Sequence, residues 1–413
     1  SMQLEWHQEL RFVVSRLLQG ENFINHSLSH SSVNIKIGNS NRNKLTKLRR
    51  KLNNSNPKVM LTAPGFRCSY AEQRALLWRW RHWAILDNME DHLTLFVNPD
   101  WAWRTSRDSE NKGKAYSIMQ IARALLPLYI PSELLEGFKC IRAFVLGLPL
   151  TRPQFIFSSN SLHGNTIFKM LVAEWQKYGT ELHYHQHGGG YGLERNLAIE
   201  TSEVRISDQF YSWGWTKYGT TVKYLSPSMP SFNEKLKRTK GILLYCLDLP
   251  RSPYKLHHIP MPGSIETMHR ETEDFLRFLP STEDITIRPH PNDFGWESTE
   301  RMTNIAPHAK LDTSLSSSFL RNQRASLIVH DYLGTSWLES LGLNIPTICF
   351  YNPNIYKFRD EANPTIDLLH QVGILHSTGK EAAQFIVSIS QNIDEWWRSS
   401  PVTKARNTFC IKY

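Results

Sequence analysis

The chain has 413 residues, 40% hydrophobic and 21% charged; this is an ordinary globular balance, and the length exceeds what one core serves, so two domains are expected. A net charge of +10 favours an anionic partner without choosing among nucleotide, acidic sugar, phospholipid and nucleic acid. The five cysteines, Cys68, Cys140, Cys246, Cys349 and Cys410, are scattered, odd in number and never spaced CxxC, so they support neither a disulfide framework nor a zinc site and read as those of a reducing cytoplasm.

In chain order, the Asn/Ser-rich residues 31–56 hold Lys44, Lys47, Arg49, Arg50 and Lys51 and read first as a solvated basic loop, second as a contact with the inner face of a membrane. Short apolar runs then alternate with helical patterns, as a parallel sheet with crossover helices requires. Strands are expected at 59–62, 93–97, 155–158, 182–185, 210–213, 242–246, 285–288, 327–330 and 347–350, which makes the class α/β. A helix is expected over 165–178, with Phe168, Leu171, Val172 and Trp175 on one face and Gly179 closing it. Residues 225–240, rich in Ser, Pro and Lys, break both periodicities and read as a linker, giving domains 1–235 and 236–413. A last helix carrying Phe385, Ile386, Ile389, Ile393, Trp396 and Trp397 has one apolar face that could pack back across the domain junction. The tryptophan clusters around Trp78, Trp213 and Trp396 suit buried packing first and a sugar- or membrane-facing surface second. No run of about 18 apolar residues and no signal peptide appears, so a soluble or peripheral cytoplasmic protein is expected.

Chemistry concentrates in two places. After the strand ending at His185 come Gln186, His187, Gly188, Gly189, Gly190, Tyr191 and Gly192. Three consecutive glycines bare their amides and let a ligand approach the main chain. His183, His185 and His187 share one face, a spacing that metal sites use. No carboxylate follows at a ligand-like spacing, so metal is rejected and His187 alone is placed for acid–base chemistry. The second place is Arg288-Pro289-His290-Pro291 beyond a strand's carboxyl end, with Gly334-Thr335-Ser336 opening a helix after another strand. A stiff cationic turn and free helix N-terminal amides both suit an anion. Glu339, one turn on, either accepts a ribose hydroxyl or completes a capping box with Ser336. Asp208 and Asp248 are candidate carboxylates; Asn160 and Arg251 also stand at strand ends.

In combination, Gln186 to Gly192, Ser207-Asp208 with Trp213-Gly214-Trp215, and Gly334-Thr335-Ser336 running through Glu339 to Asn344 and Pro346 resemble a family of transferases from bacterial surface-carbohydrate loci. Genes of that family lie beside those of nonulosonic-acid synthesis, and the match spans Pro131 to the C-terminus. More distantly, Arg288-Pro289-His290-Pro291 with a hydroxyl-bearing helix start is similar to GT-B sialyltransferases and Kdo transferases, in which these elements hold CMP. The resemblance implies a GT-B fold of two Rossmann-like doubly wound domains facing a central cleft. It also implies a metal-independent, cofactor-free reaction with a CMP-activated sugar acid as donor. It assigns Arg288, His290, Gly334, Thr335, Ser336 and Glu339 to the nucleotide. The retaining Kdo transferases have an acidic motif where this chain has Gln186-His187-Gly188, so either the stereochemistry differs or a carboxylate such as Asp208 or Asp248 replaces it.

The expectation is therefore a glycosyltransferase moving a nonulosonic acid or Kdo-like sugar onto a glycan or lipid-linked acceptor of O-antigen, capsule or lipopolysaccharide, peripheral to the inner membrane. His187, Asp208 and Asp248 are its candidate catalytic residues. Asn160, Gln186, Gly188, Gly189, Gly190, Tyr191 and Arg251 would contact the sugars. Another nucleotide sugar or a CDP-alditol is the alternative donor. A basic nucleic-acid binder is the reading from another class, although no nucleic-acid motif is present.

Overall fold

The computed structural model describes residues 33–37, 59–61, 85–86, 93–106, 130–148, 152–159, 161–195, 197–216, 222–224, 241–251, 262–292, 294–314 and 324–413. Asn160, the linker at 225–240, Trp78 and the lysines and arginines of 44–51 lie outside them. By its contacts the chain forms two units, Ser1–His187 with Glu203–Phe210, and Gly188–Ser202 with Tyr211–Tyr413. The glycine stretch thus has its contacts in the second unit, although it lies within residues 1–235.

The first sheet has the order β3-β2-β5-β6-β7-β8, formed by β2 (Val59–Leu61), β3 (Ile85–Leu86), β5 (Phe155–Ser158), β6 (Glu181–His185), β7 (Gln209–Ser212) and β8 (Val222–Tyr224). The pairs β2–β3, β2–β5 and β5–β6 are parallel. One expected strand goes elsewhere: β4 (Leu93–Val97) pairs antiparallel with β1 (Val33–Ile37) in a two-stranded sheet of its own. The pairing runs Val33↔Val97 to Ile37↔Leu93, and that partner is what an apolar run alone does not specify. Helices α1 (Phe138–Leu146) and α2 (Thr166–Gln176) follow. Asn165 caps α2 by accepting the Phe168 N–H at 2.8 Å, and Phe168, Leu171, Val172 and Trp175 are its buried face. Helix α3 (Ala198–Ile206) leads into β7.

In the second unit β9 (Ile242–Tyr245), α4 (Pro262–Phe278), β10 (Ile285–Arg288), α5 (Ser298–Ile305), β11 (Lys310–Leu311), β12 (Leu327–His330), α6 (Thr335–Gly342), β13 (Thr347–Phe350), α7 (Asn363–Gln371) and β14 (Leu375–His376) alternate. Every pair in the order β11-β10-β9-β12-β13-β14 is parallel. Strand order reverses between β9 and β12, the switch point where open α/β sheets take their ligands. Side chains alternate across β9. Ile242 and Leu244 join Phe275 and Leu276 of α4 on one face, and Leu243 and Tyr245 join Ile328, Leu343 and Ile345 on the other. Both faces are covered, which is why these strands are continuously apolar in sequence. Two α/β units, each with a largely or wholly parallel sheet, are thus both present, as the expected doubly wound domains require.

The expected single helix over 385–397 is two helices, α8 (Gly379–Ile389) and α9 (Ile393–Arg398), followed by α10 (Ser400–Lys412). A break at 390–392 lets Ile386 enter the second unit's core, while Trp397 donates its indole N–H to Asn344 Oδ1 at 2.9 Å. Trp213, Trp215 and Trp397 are buried, which favours packing over a paved surface. No helix among the described residues is long and apolar enough to cross a membrane.

Helix α8 is capped twice: Thr378 Oγ1 accepts the Glu381 N–H at 3.1 Å, and Glu381 Oε2 accepts the Ser377 N–H at 3.1 Å. Thr378→Ala is expected to lower stability by about 1 kcal/mol, read from the urea midpoint, with Thr378→Ser restoring it.

Candidate functional site

The two chemistry-bearing motifs meet. Gly189 donates its N–H to Thr335 Oγ1 at 3.0 Å, across 146 positions of sequence. A side chain at Gly189 would lie 3.1 Å from the Gly334 carbonyl carbon and 3.2 Å from the Thr335 nitrogen, so close apposition of the two backbones is what glycine permits here. The amino end of α6 and the glycine stretch are therefore held together beyond the carboxyl end of β12. Gly334 is the N-cap of α6 and no side chain caps the helix, which leaves first-turn N–H groups and the positive end of the dipole for an anion. Ser336 lies inside the first turn rather than at the N-cap, which is Gly334. Its hydroxyl lies 2.8 Å from the Tyr332 hydroxyl and 3.5 Å from Nδ1 of buried His330, so what it offers a ligand is its backbone N–H. Burial holds the His330 pKa down to about 3, and that ring stays neutral. Glu339 is partly buried in the second turn.

A cleft of about 550 Å³ opens beyond β9 and β10, lined by Asp248, Arg288, His290, Ser298 and Asp312 among others. Because β9 separates β10 from β12, the Arg288 turn and the start of α6 stand roughly 10 Å apart. Arg288 Nη1 donates to Asp312 Oδ2 at 2.7 Å. Burial works against the Asp312 charge, but bonds from Ser314 and Arg288 outweigh it and hold the carboxyl below its usual range. With Asp248, Glu297, Glu300 and Asp312 all on its walls, the cleft is acidic apart from this neutralised guanidinium and the His290 ring. His290 Nδ1 accepts the Asn292 N–H at 3.2 Å, and the ring packs on Phe294. Arg251 donates to the Gly295 carbonyl at 3.0 Å and lies over Trp296.

Asp248 is buried in the cleft wall, accepting from the Leu249 N–H at 2.9 Å and from the Ser298 hydroxyl. Burial opposes its charge, and His269, 3.6 Å away, together with Ser298 keeps its pKa below the ordinary carboxylate value. Asp331, at the switch point, accepts from the Leu247 N–H at 2.8 Å and the Thr272 hydroxyl at 2.9 Å. Burial pushes its pKa up to about 7.

In the first unit His187 faces a carboxylate that the sequence did not reveal: its Nδ1 is 3.8 Å from Oε1 of Glu203, which is buried. A partly exposed imidazole backed by a buried carboxylate is the arrangement of a general base. Gln186 is buried beside it. Asp208 leaves the candidate catalytic set: its Oδ2 accepts from the Leu182 N–H at 2.7 Å and from Gln176 at 3.3 Å, at the amino end of β6 and the far end of that strand from His185. Also missed from sequence were Glu194, Glu200 and Arg359, which surround the glycine turn: Gly192 donates its N–H to Glu200 at 2.8 Å, and Arg359 Nη2 donates to Glu200 at 2.6 Å. Tyr191 is buried in that turn. Among the described residues no group of three or more His, Cys, Asp or Glu is placed to hold a metal ion.

An α/β protein with a helix start that no side chain caps, beside the switch point of a parallel sheet, is what fold and site together define. The chain belongs to the LIC12162 family of transferases, whose model matches residues 5–413. No curated protein matches it. Among solved structures it is similar to Acinetobacter baumannii MurG, at 11% identity and a TM-score of 0.38 over 90% of this chain and 93% of that one. It is also similar to Phytolacca americana UGT2 complexed with UDP-2fluoro-glucose and pterostilbene, at 9% and 0.40 over 86% and 93%. A third is the UDP-GlcNAc 2-epimerase from Neisseria meningitidis bound to UDP-GlcNAc, at 10% and 0.39 over 74% and 93%.

Proposed function

We propose that the protein is a GT-B glycosyltransferase that moves a sugar acid of the nonulosonic or Kdo type from a CMP-activated donor to a hydroxyl of a surface glycan. The observation that carries this reading is the Gly189–Thr335 bond, which holds the glycine stretch against a helix start that no side chain caps. The donor phosphate binds there, where amide dipoles stabilise the charge that grows as the glycosidic C–O bond breaks. The nucleoside reaches toward the acidic cleft at Arg288 and His290. Cytosine presents an amino donor where uracil presents a carbonyl acceptor, and carboxylate-lined walls suit the former. In the transfer step the acceptor oxygen bonds to the anomeric carbon, CMP leaves with the bonding pair, and the acceptor proton passes to the His187 ring, whose charge Glu203 balances.

A nucleotide panel tests the donor. CMP is expected to raise the melting temperature and to bind more tightly than UMP by about 1–3 kcal/mol, measured by calorimetry. A shift with UDP or GDP and none with CMP would overturn the assignment and leave another nucleotide sugar as donor. Steeply salt-dependent binding of oligonucleotides, with no nucleotide shift, would point instead to a nucleic-acid partner.

A further inference from the structure

Ser298 stands on the wall of the cleft beyond β9 and β10, at the first position of α5, and is partly exposed. Its hydroxyl donates to Oδ2 of Asp248. A serine hydroxyl owns one proton and two lone pairs, so once the proton is committed to one partner it can only accept from any other. Among the described residues this hydroxyl forms no second hydrogen bond, and what it keeps for a ligand is therefore its lone pairs.

The group that commits the proton is buried behind it. Asp248 is 3% exposed, and its Oδ1 accepts the Leu249 N–H at 2.9 Å. The ring of His269, itself 7% exposed, brings Nε2 to 3.6 Å from the same oxygen. That ring is held edge-on to Trp296, with centroids 5.6 Å apart, and Trp296 is fixed in turn by donating its indole N–H to the Leu249 carbonyl at 2.8 Å. Backbone amide, hydroxyl and imidazole thus converge on one carboxylate from three elements. Burial opposes its charge, yet His269 and Ser298 outweigh that and hold Asp248 below the usual carboxylate range. An ionised carboxylate accepts and cannot donate, so the proton between Asp248 and Ser298 belongs to the serine.

We propose that Ser298 is a specificity-determining residue of the cleft, locked by Asp248 and His269 as a pure hydrogen-bond acceptor, and that it selects a nucleoside whose base carries an exocyclic amino group. This rests on reading the cleft as the nucleoside site and names the residue that tells cytosine from uracil there. At the same ring carbon cytosine carries an amino donor and uracil a carbonyl acceptor. A lone pair of Ser298 facing the amino group makes a hydrogen bond; facing the carbonyl it makes a repulsion and leaves both oxygens unsatisfied. A freely rotating serine would turn its O–H toward either base and discriminate little. The preference comes from the carboxylate behind it, and Asp248 and His269 act as positioning residues through that one hydroxyl.

Calorimetric titration of the full chain and its variants with CMP and with UMP tests this. The wild type is expected to bind CMP more tightly, and Ser298→Ala should lower the CMP-over-UMP ratio about three- to tenfold by weakening CMP. Ser298→Thr keeps the hydroxyl and should keep the ratio. Asp248→Asn presents an amide that can donate to the hydroxyl as well as accept from it, so the O–H is released and UMP should bind more tightly than it does to the wild type. His269→Gln should move the ratio the same way and by less. A residue that only supports the fold would weaken both nucleotides alike and could not improve UMP. Because Ser298 is partly exposed, the alanine arm stands even where a change at buried Asp248 prevents folding. A ratio that Ser298→Ala leaves at the wild-type value overturns the role of Ser298 and leaves cytidylate as the nucleotide. A folded Asp248→Asn that gains nothing for UMP overturns the lock. Failure of the wild type to bind either nucleotide, or tighter binding of UMP, overturns the CMP reading and this assignment together.

Discussion

Replacing Arg359 by glutamine is expected to destabilise the protein by about 3–5 kcal/mol, because it strands a buried carboxylate with no cation. Glu200 is fully buried and its Oε1 takes the Arg359 Nη2 at 2.6 Å, while the Nε of the same side chain holds the Glu194 carbonyl. The backbone is tied at the same place, with the Arg359 N–H donating to the Leu193 carbonyl at 2.9 Å and the Arg195 N–H to the Lys357 carbonyl at 2.8 Å. Losing the guanidinium therefore loosens the glycine turn as well as the ion pair. The double variant Arg359→Gln/Glu200→Gln removes both charges and should recover much of the loss, a coupling that urea midpoints of the four proteins measure. A single variant as stable as the wild type would mean that water reaches Glu200. The turn has little room to relax otherwise. Gly192 sits at φ +73°, and a methyl group there would fall 2.2 Å from the Trp215 ring.

How far the sequence discloses this molecule depends on what kind of signal each part leaves. Strands covered on both faces, such as Ile242–Tyr245 and Leu327–His330, are uninterrupted apolar runs, and all nine expected strands form. The two-residue strands Ile85–Leu86, Lys310–Leu311 and Leu375–His376 carry no periodicity to detect, and two of them are the outermost strands of the second sheet. Leu93–Val97 was legible as a strand but not as an antiparallel one, because pairing direction belongs to the partner. The glycine run and the Gly-Thr-Ser helix start were both visible as motifs; their meeting was not, since a hydrogen bond spanning 146 residues has no local trace. The acidic residues around them were hidden for another reason. Glu194, Glu200 and Glu203 look like solvated charges of a loop and a helix, and only packing shows that two of them are buried. Asp208 was legible as a residue before a strand, on the opposite rim from the glycine loop, but its partner, the Leu182 amide 26 positions away, leaves no local trace.

His187→Ala is the decisive test of the first unit's chemistry. If the ring removes the acceptor proton, the variant should lose about 10²- to 10⁴-fold in transfer rate while the affinity for CMP stays at the wild-type value. Glu203→Gln should lose less, since it leaves the ring in place and removes only the carboxylate 3.8 Å behind Nδ1. The pH profile separates catalysis from mere packing. Transfer by the wild type should fall on the acid side as the ring takes up a proton and can no longer accept one, and the residual activity of His187→Ala should lack that limb. A structural role would instead lower the rate by the same factor at every pH and shift the urea midpoint with it. Equal rates for His187→Ala and wild type would assign proton removal to another group and leave the proposed donor site at Gly189 and Thr335 untouched, because the bond between them involves no atom of His187.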